Sequence, residues 1–129
     1  MIQNTISTWH QLFTNRNIAG LDELIADNAV FHSPIVHTPQ VGKELTKMYL
    51  SAAFYVFYND SFVYVRQVIS GNHAVLEFEV TIDGIKVNGV DMITCDEEGK
   101  IIDFKVMVRP LKAVNLIHQK MMEMLQMRK

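Results

Sequence analysis

Asp91 is the residue of this sequence best suited to proton-transfer chemistry. It stands between Val90 and Met92 in a segment with the composition of a strand. Burial among apolar groups disfavours the charged form, so we expect its pKa to lie above the ordinary value of about 3.9. A neutral aspartic acid donates a hydrogen bond or a proton, which makes Asp91 a candidate general acid. The alternative is a structural Asp whose oxygens are taken by neighbouring donors.

His32 is the second candidate for proton transfer. As a neutral imidazole it would act as a general base, with Asp91 as its orienting group or as the acid. It precedes Ser33 and Pro34, and a histidine in such a place also suits a packed edge position.

The sequence contains no pattern that is typical of a metal or cofactor site. The histidines form no helical i, i+4 pair, and the single cysteine has no partner. There is also no glycine-rich loop to cradle a phosphate. We therefore expect no metal and no cofactor. The residues concerned are His10, His32, His37, His73, His118 and Cys95.

Four segments have the periodicity of helices. The first carries its apolar residues on one face, and a short second helix follows at residues 20–26. A third begins near Gly42 and ends before residues 59–60, and a fourth covers residues 111–127. The expected inward residues are Ile2, Ile6, Trp9, Leu12 and Phe13 in the first, Leu45, Met48, Tyr49, Ala52 and Val56 in the third, and Leu111, Val114, His118, Met121 and Leu125 in the last.

The centre of the sequence predicts strands. A short strand at residues 29–32 ends at Pro34, and residues 37–40 are expected to form a loop. Residues 62–69, 74–82, 87–95 and 101–108 predict a four-stranded antiparallel meander with a turn at Asp83-Gly84. Leu76 and Phe78 alternate with Glu77 and Glu79, which places the glutamates on the outer face. Segregated helices and an antiparallel sheet define an α+β fold in one domain, residues 1–129.

Composition limits the classes of protein that need be considered. The chain has 129 residues, 49% of them hydrophobic, and a net charge of −2 without a basic stripe, so nucleic acid is not an expected partner. No stretch is apolar enough to span a membrane, and residues 1–12 lack the basic start and apolar run of a signal peptide. One cysteine suits a reducing compartment. We expect a cytoplasmic protein.

Two segments resemble the nuclear-transport-factor-2-like (NTF2-like) superfamily, in particular its SnoaL-like and ketosteroid-isomerase-like branch. Residues 26–34 (ADNAVFHSP) are similar to its A-D-D-A-x-x-x-x-P segment, and residues 90–101 are similar to its hairpin with D and G-K-I. The element order agrees over nearly the whole chain. The resemblance implies a cone-shaped (cystatin-like) fold, in which a curved antiparallel sheet is wrapped by N-terminal helices around an apolar pocket.

Ketosteroid isomerase needs a carboxylate base, a tyrosine and a protonated aspartic acid. The resemblance puts the aspartic acid at Asp91, the base at Ser33 and the tyrosine at Trp9. A serine of ordinary pKa cannot shuttle the proton, and an indole N–H donates a hydrogen bond without giving up a proton. This comparison argues against steroid isomerisation by that mechanism.

Strand alternation and the resemblance together predict a pocket for a small apolar molecule. Two functions stay open: cofactor-free acid–base chemistry of the isomerase, cyclase or dehydratase kind, carried by Asp91 and His32, or a non-catalytic module that binds a ligand or partner. The resemblance also implies a homodimer through the outer sheet face, which carries Val63, Val65, Met92, Thr94, Ile101 and Met107. The expected pocket residues are Trp9, Phe31, Ser33, Tyr49, Leu76, Phe78, Val80, Asp91, Ile93, Phe104, Val106 and Val108.

Overall fold

The computed structural model describes residues 2–127. Four helices and six strands follow one another in an order close to the predicted one. They are α1 (Ile2–Thr14), α2 (Leu21–Leu24), β1 (Ile25–His32), β2 (Gln40–Val41), α3 (Lys43–Phe57), β3 (Val63–Ser70), β4 (His73–Ile82), β5 (Ile85–Cys95), β6 (Ile101–Arg109) and α4 (Leu111–Met127). The α+β class predicted from the sequence is confirmed.

All six strands form one curved sheet, in the order β2-β1-β6-β5-β4-β3. The four strands of the predicted meander pair antiparallel in sequence order. β1 joins this sheet parallel to β6, and it begins at Ile25, in the segment predicted to end the second helix. The last residue of the loop predicted at residues 37–40, Gln40, begins β2, which pairs antiparallel with β1. The short strand expected at residues 29–32 is thus the second half of a longer one.

The core lies between one face of the sheet and the helices. In α1, the apolar residues Ile2, Ile6, Trp9, Leu12 and Phe13 are all buried, as their spacing predicts. In β4, Leu76, Phe78 and Val80 are buried while Glu79 is exposed, so the predicted register is right.

The predicted inward faces of α3 and α4 are partly wrong. In α3 the buried stripe includes Leu50, Phe54 and Phe57, whereas Leu45 is exposed. α4 buries Ala113 and Ile117 instead of the expected Leu111 and His118, and Leu111 is 74% exposed. α4 contacts α3, β5 and β6, so its packing face is set by these neighbours. Periodicity alone does not specify such a rotation about the helix axis.

The predicted outer face also needs one correction. Ile101 was expected there, but it pairs with Ile25 of β1 and is 0% exposed. An irregularity in the β5–β6 pairing between Thr94 and Cys95 accounts for the change, because a bulge shifts the alternation of the residues beside it. Among residues 2–127, no helix has the length and apolar character needed to cross a membrane.

Candidate functional site

Asp91 is a buried carboxyl on the inner face of the sheet. It lies in the middle of β5, opposite Leu76 of β4 and Val106 of β6. The residue is only 6% exposed. The alternation of β5 requires this orientation, since Val87, Ile93 and Cys95 in the same phase are also buried.

Tyr64 and Trp9 form a hydrogen-bond chain that ends on Asp91. The Tyr64 hydroxyl donates to Oδ2 of Asp91 at 2.7 Å. The Trp9 indole N–H donates to the Tyr64 hydroxyl oxygen at 2.9 Å. Each hydroxyl has one proton to give, so the Tyr64 proton is fully used by the carboxyl and its oxygen accepts from Trp9. Three separate elements, α1, β3 and β5, are therefore joined at one point inside the fold.

Burial changes the acidity of both oxygen groups. It raises the pKa of Asp91 to about 7, although the hydrogen bond from Tyr64 favours the charged form and offsets part of the rise. The pKa of Tyr64 lies well above its usual value of 10.0, first because of burial and then because of the neighbouring Asp91 charge. Near neutral pH, both protonation states of Asp91 are therefore populated, while Tyr64 keeps its proton.

A narrow apolar cavity borders these groups. Its volume is about 30 Å³, which suits one or two water molecules. Aromatic rings form most of the wall, and Asp91 and Tyr64 are the titratable groups among the residues that line it. These residues are Trp9, Phe13, Leu50, Ala53, Phe54, Phe57, Phe62, Tyr64, Phe78, Asp91, Phe104 and Val106.

A wider groove adjoins the cavity on the side of α1 and the loop between α3 and β3. It measures about 350 Å³, and it shares Phe13, Phe62 and Tyr64 with the cavity. Its other walls are polar in large part. We call it the mouth groove; it is lined by His10, Phe13, Thr14, Tyr58, Asn59, Asp60, Phe62, Val63 and Tyr64.

The structure brings together some of the predicted pocket residues and separates others. Trp9, Phe78, Asp91, Phe104 and Val106 line the cavity. The remaining predicted residues do not line it. Leu76, Val80 and Ile93 are buried in the core, Val108 packs at its margin, and Tyr49 stacks on Phe31 at 5.3 Å.

His32 and Ser33 lie away from Asp91, which corrects the expected pairing of His32 with this carboxyl. Phe31 points inward, with its ring 6.2 Å from that of Phe104, so His32 faces the other side of the sheet. There its Nε2 contacts Oδ1 of Asp103 at 2.8 Å. The Ser33 hydroxyl oxygen accepts hydrogen bonds from the backbone N–H groups of residues 35 and 36, a pattern that is typical of serine in a turn.

Tyr64 is the candidate site residue that the sequence reasoning missed. The resemblance places a tyrosine on the first helix, at the position of Trp9. In this structure a tyrosine hydroxyl comes instead from Tyr64 on β3. β3 carries exposed residues at most positions and its pairing with β4 shifts between Tyr64 and Arg66, so alternation alone gave no register for it. The sequence feature that could have pointed to Tyr64 was its place in a strand-forming run of aromatic and β-branched residues that begins at Phe62.

No set of three or more His, Cys, Asp or Glu side chains among residues 2–127 is arranged to hold a metal ion. The chemistry of the cavity is that of a carboxyl and a phenol in apolar surroundings.

Comparison with known proteins agrees with this architecture. Residues 6–104 match the SnoaL-like domain family. A steroid delta-isomerase from Pseudomonas aeruginosa is 36% identical, with a TM-score of 0.93 over 98% of this chain and 93% of that one. A protein with a cystatin-like fold from Silicibacter pomeroyi is 27% identical, with a TM-score of 0.81 over 96% of this chain and 84% of that one. An NTF2-like protein from Mesorhizobium loti is 19% identical, with a TM-score of 0.74 over 84% of this chain and 91% of that one.

A search of curated proteins finds no match. The family match and the 36% identical relative together show that the chain belongs to the NTF2-like superfamily. Within it, the chain belongs to the SnoaL-like domain family.

Proposed function

We propose that the cavity binds a small, largely apolar molecule through one oxygen atom, and that neutral Asp91 acts on that oxygen as a hydrogen-bond donor or general acid. The reaction would be a cofactor-free isomerisation, cyclisation or dehydration. The observation that carries this proposal is the hydrogen-bond chain from Trp9 through Tyr64 to Asp91, which is buried in apolar surroundings and has a pKa of about 7.

The direction of the hydrogen bonds supports a donor role. Because Tyr64 gives its proton to Oδ2, a protonated Asp91 keeps its own proton available on the other oxygen. A general acid is most effective when its pKa lies near the working pH, and a pKa of about 7 meets that requirement. Trp9 and Tyr64 hold the carboxyl in one orientation, which reduces the reorganisation needed on binding.

The ligand we propose is smaller than a steroid. A volume of about 30 Å³ holds one or two waters, so only the oxygen of the ligand would reach the cavity, while its ring stays in the mouth groove against Phe13 and Phe62. The relative from Pseudomonas aeruginosa is a steroid delta-isomerase. In this chain Ser33 occupies the place of the base in ketosteroid isomerase and is bound into a turn, which argues against that reaction.

Cyclohexanone and methylenecyclohexane form a matched pair of probes, because a CH₂ group replaces the oxygen in the second. Trp9 is the one tryptophan of the chain, so its indole N–H gives a single reporter signal in ¹H–¹⁵N NMR. We expect cyclohexanone to shift this signal at pH 6, to bind about tenfold more weakly for each pH unit above 7, and to bind more tightly than the hydrocarbon.

The Asp91→Asn variant is the control, since an amide donates a hydrogen bond without titrating. It should bind cyclohexanone equally at pH 6 and pH 8. Equal binding of the two probes, or binding to the unchanged protein that does not depend on pH, would refute the proposal.

A second candidate function is a non-catalytic dimeric module that binds a ligand or partner. It is favoured by the composition of the cavity wall, in which Asp91 and Tyr64 are accompanied by no proton acceptor. The outer sheet face would hold the two copies together, because Val63 and Met107 there are 48% and 49% exposed. Binding of cyclohexanone without any exchange of its α-protons would favour this function over catalysis.

A further inference from the structure

Three aromatic side chains form the wall between the cavity and the mouth groove. Phe13, Phe62 and Tyr64 line both spaces, so they lie between them. Trp9 and Asp91 line the cavity and not the groove. A ligand group that comes from the groove must therefore pass this wall before it reaches Asp91.

Two members of the wall are held in place by their contacts. The Tyr64 hydroxyl lies in the hydrogen-bond chain between Trp9 and Asp91. Phe13 is only 7% exposed, and its ring packs edge to face against that of Phe54 at 5.4 Å. Movement of either ring would break these contacts.

Phe62 is the member of the wall whose ring is least confined. It is partly buried, and its ring packs against Phe13 at 4.5 Å and stacks on Phe78 at 5.2 Å. Its backbone is fixed, because its N–H donates to the carbonyl oxygen of Asn59 at 3.1 Å and the Asn59 amide donates to the carbonyl oxygen of Thr81 in β4 at 2.9 Å. The turn is thereby tied to the sheet, so the side chain of Phe62 sets what can pass.

We propose that Phe62 is the specificity-determining residue of the site: its ring holds bulky groups in the mouth groove and admits only an unhindered carbonyl oxygen to Asp91. This inference rests on the proposed function and deepens it, because it states which carbonyl compounds reach the acid. The groove measures about 350 Å³, whereas the space beyond the ring measures about 30 Å³. The expected ligands are ketones or aldehydes without branches on the carbons beside the carbonyl, since a methyl group there would overpack the cavity.

Cyclohexanone and α,α,α′,α′-tetramethylcyclohexanone form a matched pair that tests this selectivity. They share the ring and the carbonyl, but methyl groups flank the oxygen of the second. Added methyl groups by themselves favour burial, so weaker binding of the second ketone reports steric exclusion. At pH 6, we expect the unchanged protein to bind the hindered ketone about tenfold or more weakly than cyclohexanone, as measured at the Trp9 indole signal.

Phe62→Ala should remove this selectivity, so that the two ketones bind about equally. Val63→Ala is the matched control, because Val63 lines the groove and not the cavity, and it should keep the selectivity of the unchanged protein. Phe62→Leu removes less volume and gives the same test with a smaller change if Phe62→Ala does not fold.

Benzene tests the wall without involving Asp91, because it has no oxygen. Trp9 lines the cavity and not the groove, so its indole signal reports entry into the cavity. We expect no saturable shift with benzene in the unchanged protein and a saturable shift in Phe62→Ala, where loss of the ring joins the two spaces.

A saturable benzene shift in the unchanged protein would overturn the assignment, and so would a folded Phe62→Ala or Phe62→Leu with unaltered selectivity between the ketones. Either result leaves the proposed function standing if cyclohexanone still binds in an Asp91-dependent manner. Loss of that dependence would reject the proposed function and this inference together.

Discussion

Asp91, Tyr64 and Trp9 make a buried polar chain in which the indole and phenol protons each have an acceptor. An isolated carboxylate in such apolar surroundings would be very unfavourable, and the protein avoids this cost by holding the group neutral up to about pH 7. The phenol and the indole then satisfy one oxygen of the acid and leave the other to face the cavity. Ionisation of Asp91 is therefore coupled to stability, since the charged form opposes folding.

This coupling predicts a pH dependence of stability. The pKa of Asp91 is about 7 in the folded chain, against an ordinary value of 3.8 for an unfolded one, so the folded chain binds more protons between these values and loses stability as pH rises through them. At about 1.4 kcal/mol per unit, the unfolding free energy should fall by roughly 2 to 3 kcal/mol between pH 5 and pH 8. Asp91→Asn should lack this fall, as measured by urea denaturation.

Asp27→Asn is the matched control, because the Asp27 side chain is 100% exposed. Subtracting its pH profile from that of Asp91→Asn cancels the titration of groups that all the proteins share. A difference between the two variants that stays constant from pH 5 to pH 8 would contradict a raised pKa at Asp91.

Sequence reasoning predicted the burial of Asp91 correctly but not the residues that contact it. Asp91 was predicted from its place in a strand and from a family motif. Both are local patterns of the sequence, so they can be read without knowing the tertiary contacts. His32 was chosen for its type, but neighbouring strand residues face opposite sides, and burial of Phe31 turns His32 outward. Tyr64 and His10 meet only in three dimensions, 54 positions apart, so no local pattern pairs them.

Among the secondary-structure elements, the buried faces of strands with one side in the core were predicted more accurately than the buried faces of helices. β4 alternates cleanly and its register was right, whereas α3 is apolar on several sides. Its aromatic residues decide the matter: Phe54 packs on Trp9 at 5.4 Å, and Phe57 packs on Phe78 at the same distance. Contacts between rings from distant elements therefore set which face of α3 closes the cavity.

Gly89 shows how β5 makes room for this aromatic wall. A Cβ at this position would lie 2.5 Å from Cζ of Phe78 and 2.8 Å from the backbone oxygen of Met107. Any larger residue would push Phe78 toward the cavity or distort the β5–β6 pairing. The sequence pattern marks Gly89 only as a glycine within a strand, and the ring that needs it comes from the neighbouring strand.

For the whole molecule, we predict a homodimer that pairs through the outer sheet face. Val63 and Met107 are about half exposed on this face, and the pairing of two sheets would cover them. Twofold pairing would bring the same residues together across the axis. Met107→Lys should then separate the copies, because it places like charges opposite each other, while the Trp9 indole signal stays unchanged.

Leu111→Lys is the control for the dimer, since Leu111 is exposed on α4. It should leave the oligomeric state unaltered in sedimentation experiments. A single species near the chain mass of 14.8 kDa for the unchanged protein at micromolar concentration would contradict the dimer.

The central claim is that Asp91 is a neutral acid at the bottom of an apolar cavity. A ¹³C NMR titration of its side-chain carboxyl tests this claim directly, with Asp91→Asn used to assign the signal. We predict a midpoint near pH 7, because burial disfavours the carboxylate more than the Tyr64 hydrogen bond favours it. A midpoint at or below 3.8, the ordinary value for this group, would contradict the account, since Asp91 would then be charged throughout the physiological range.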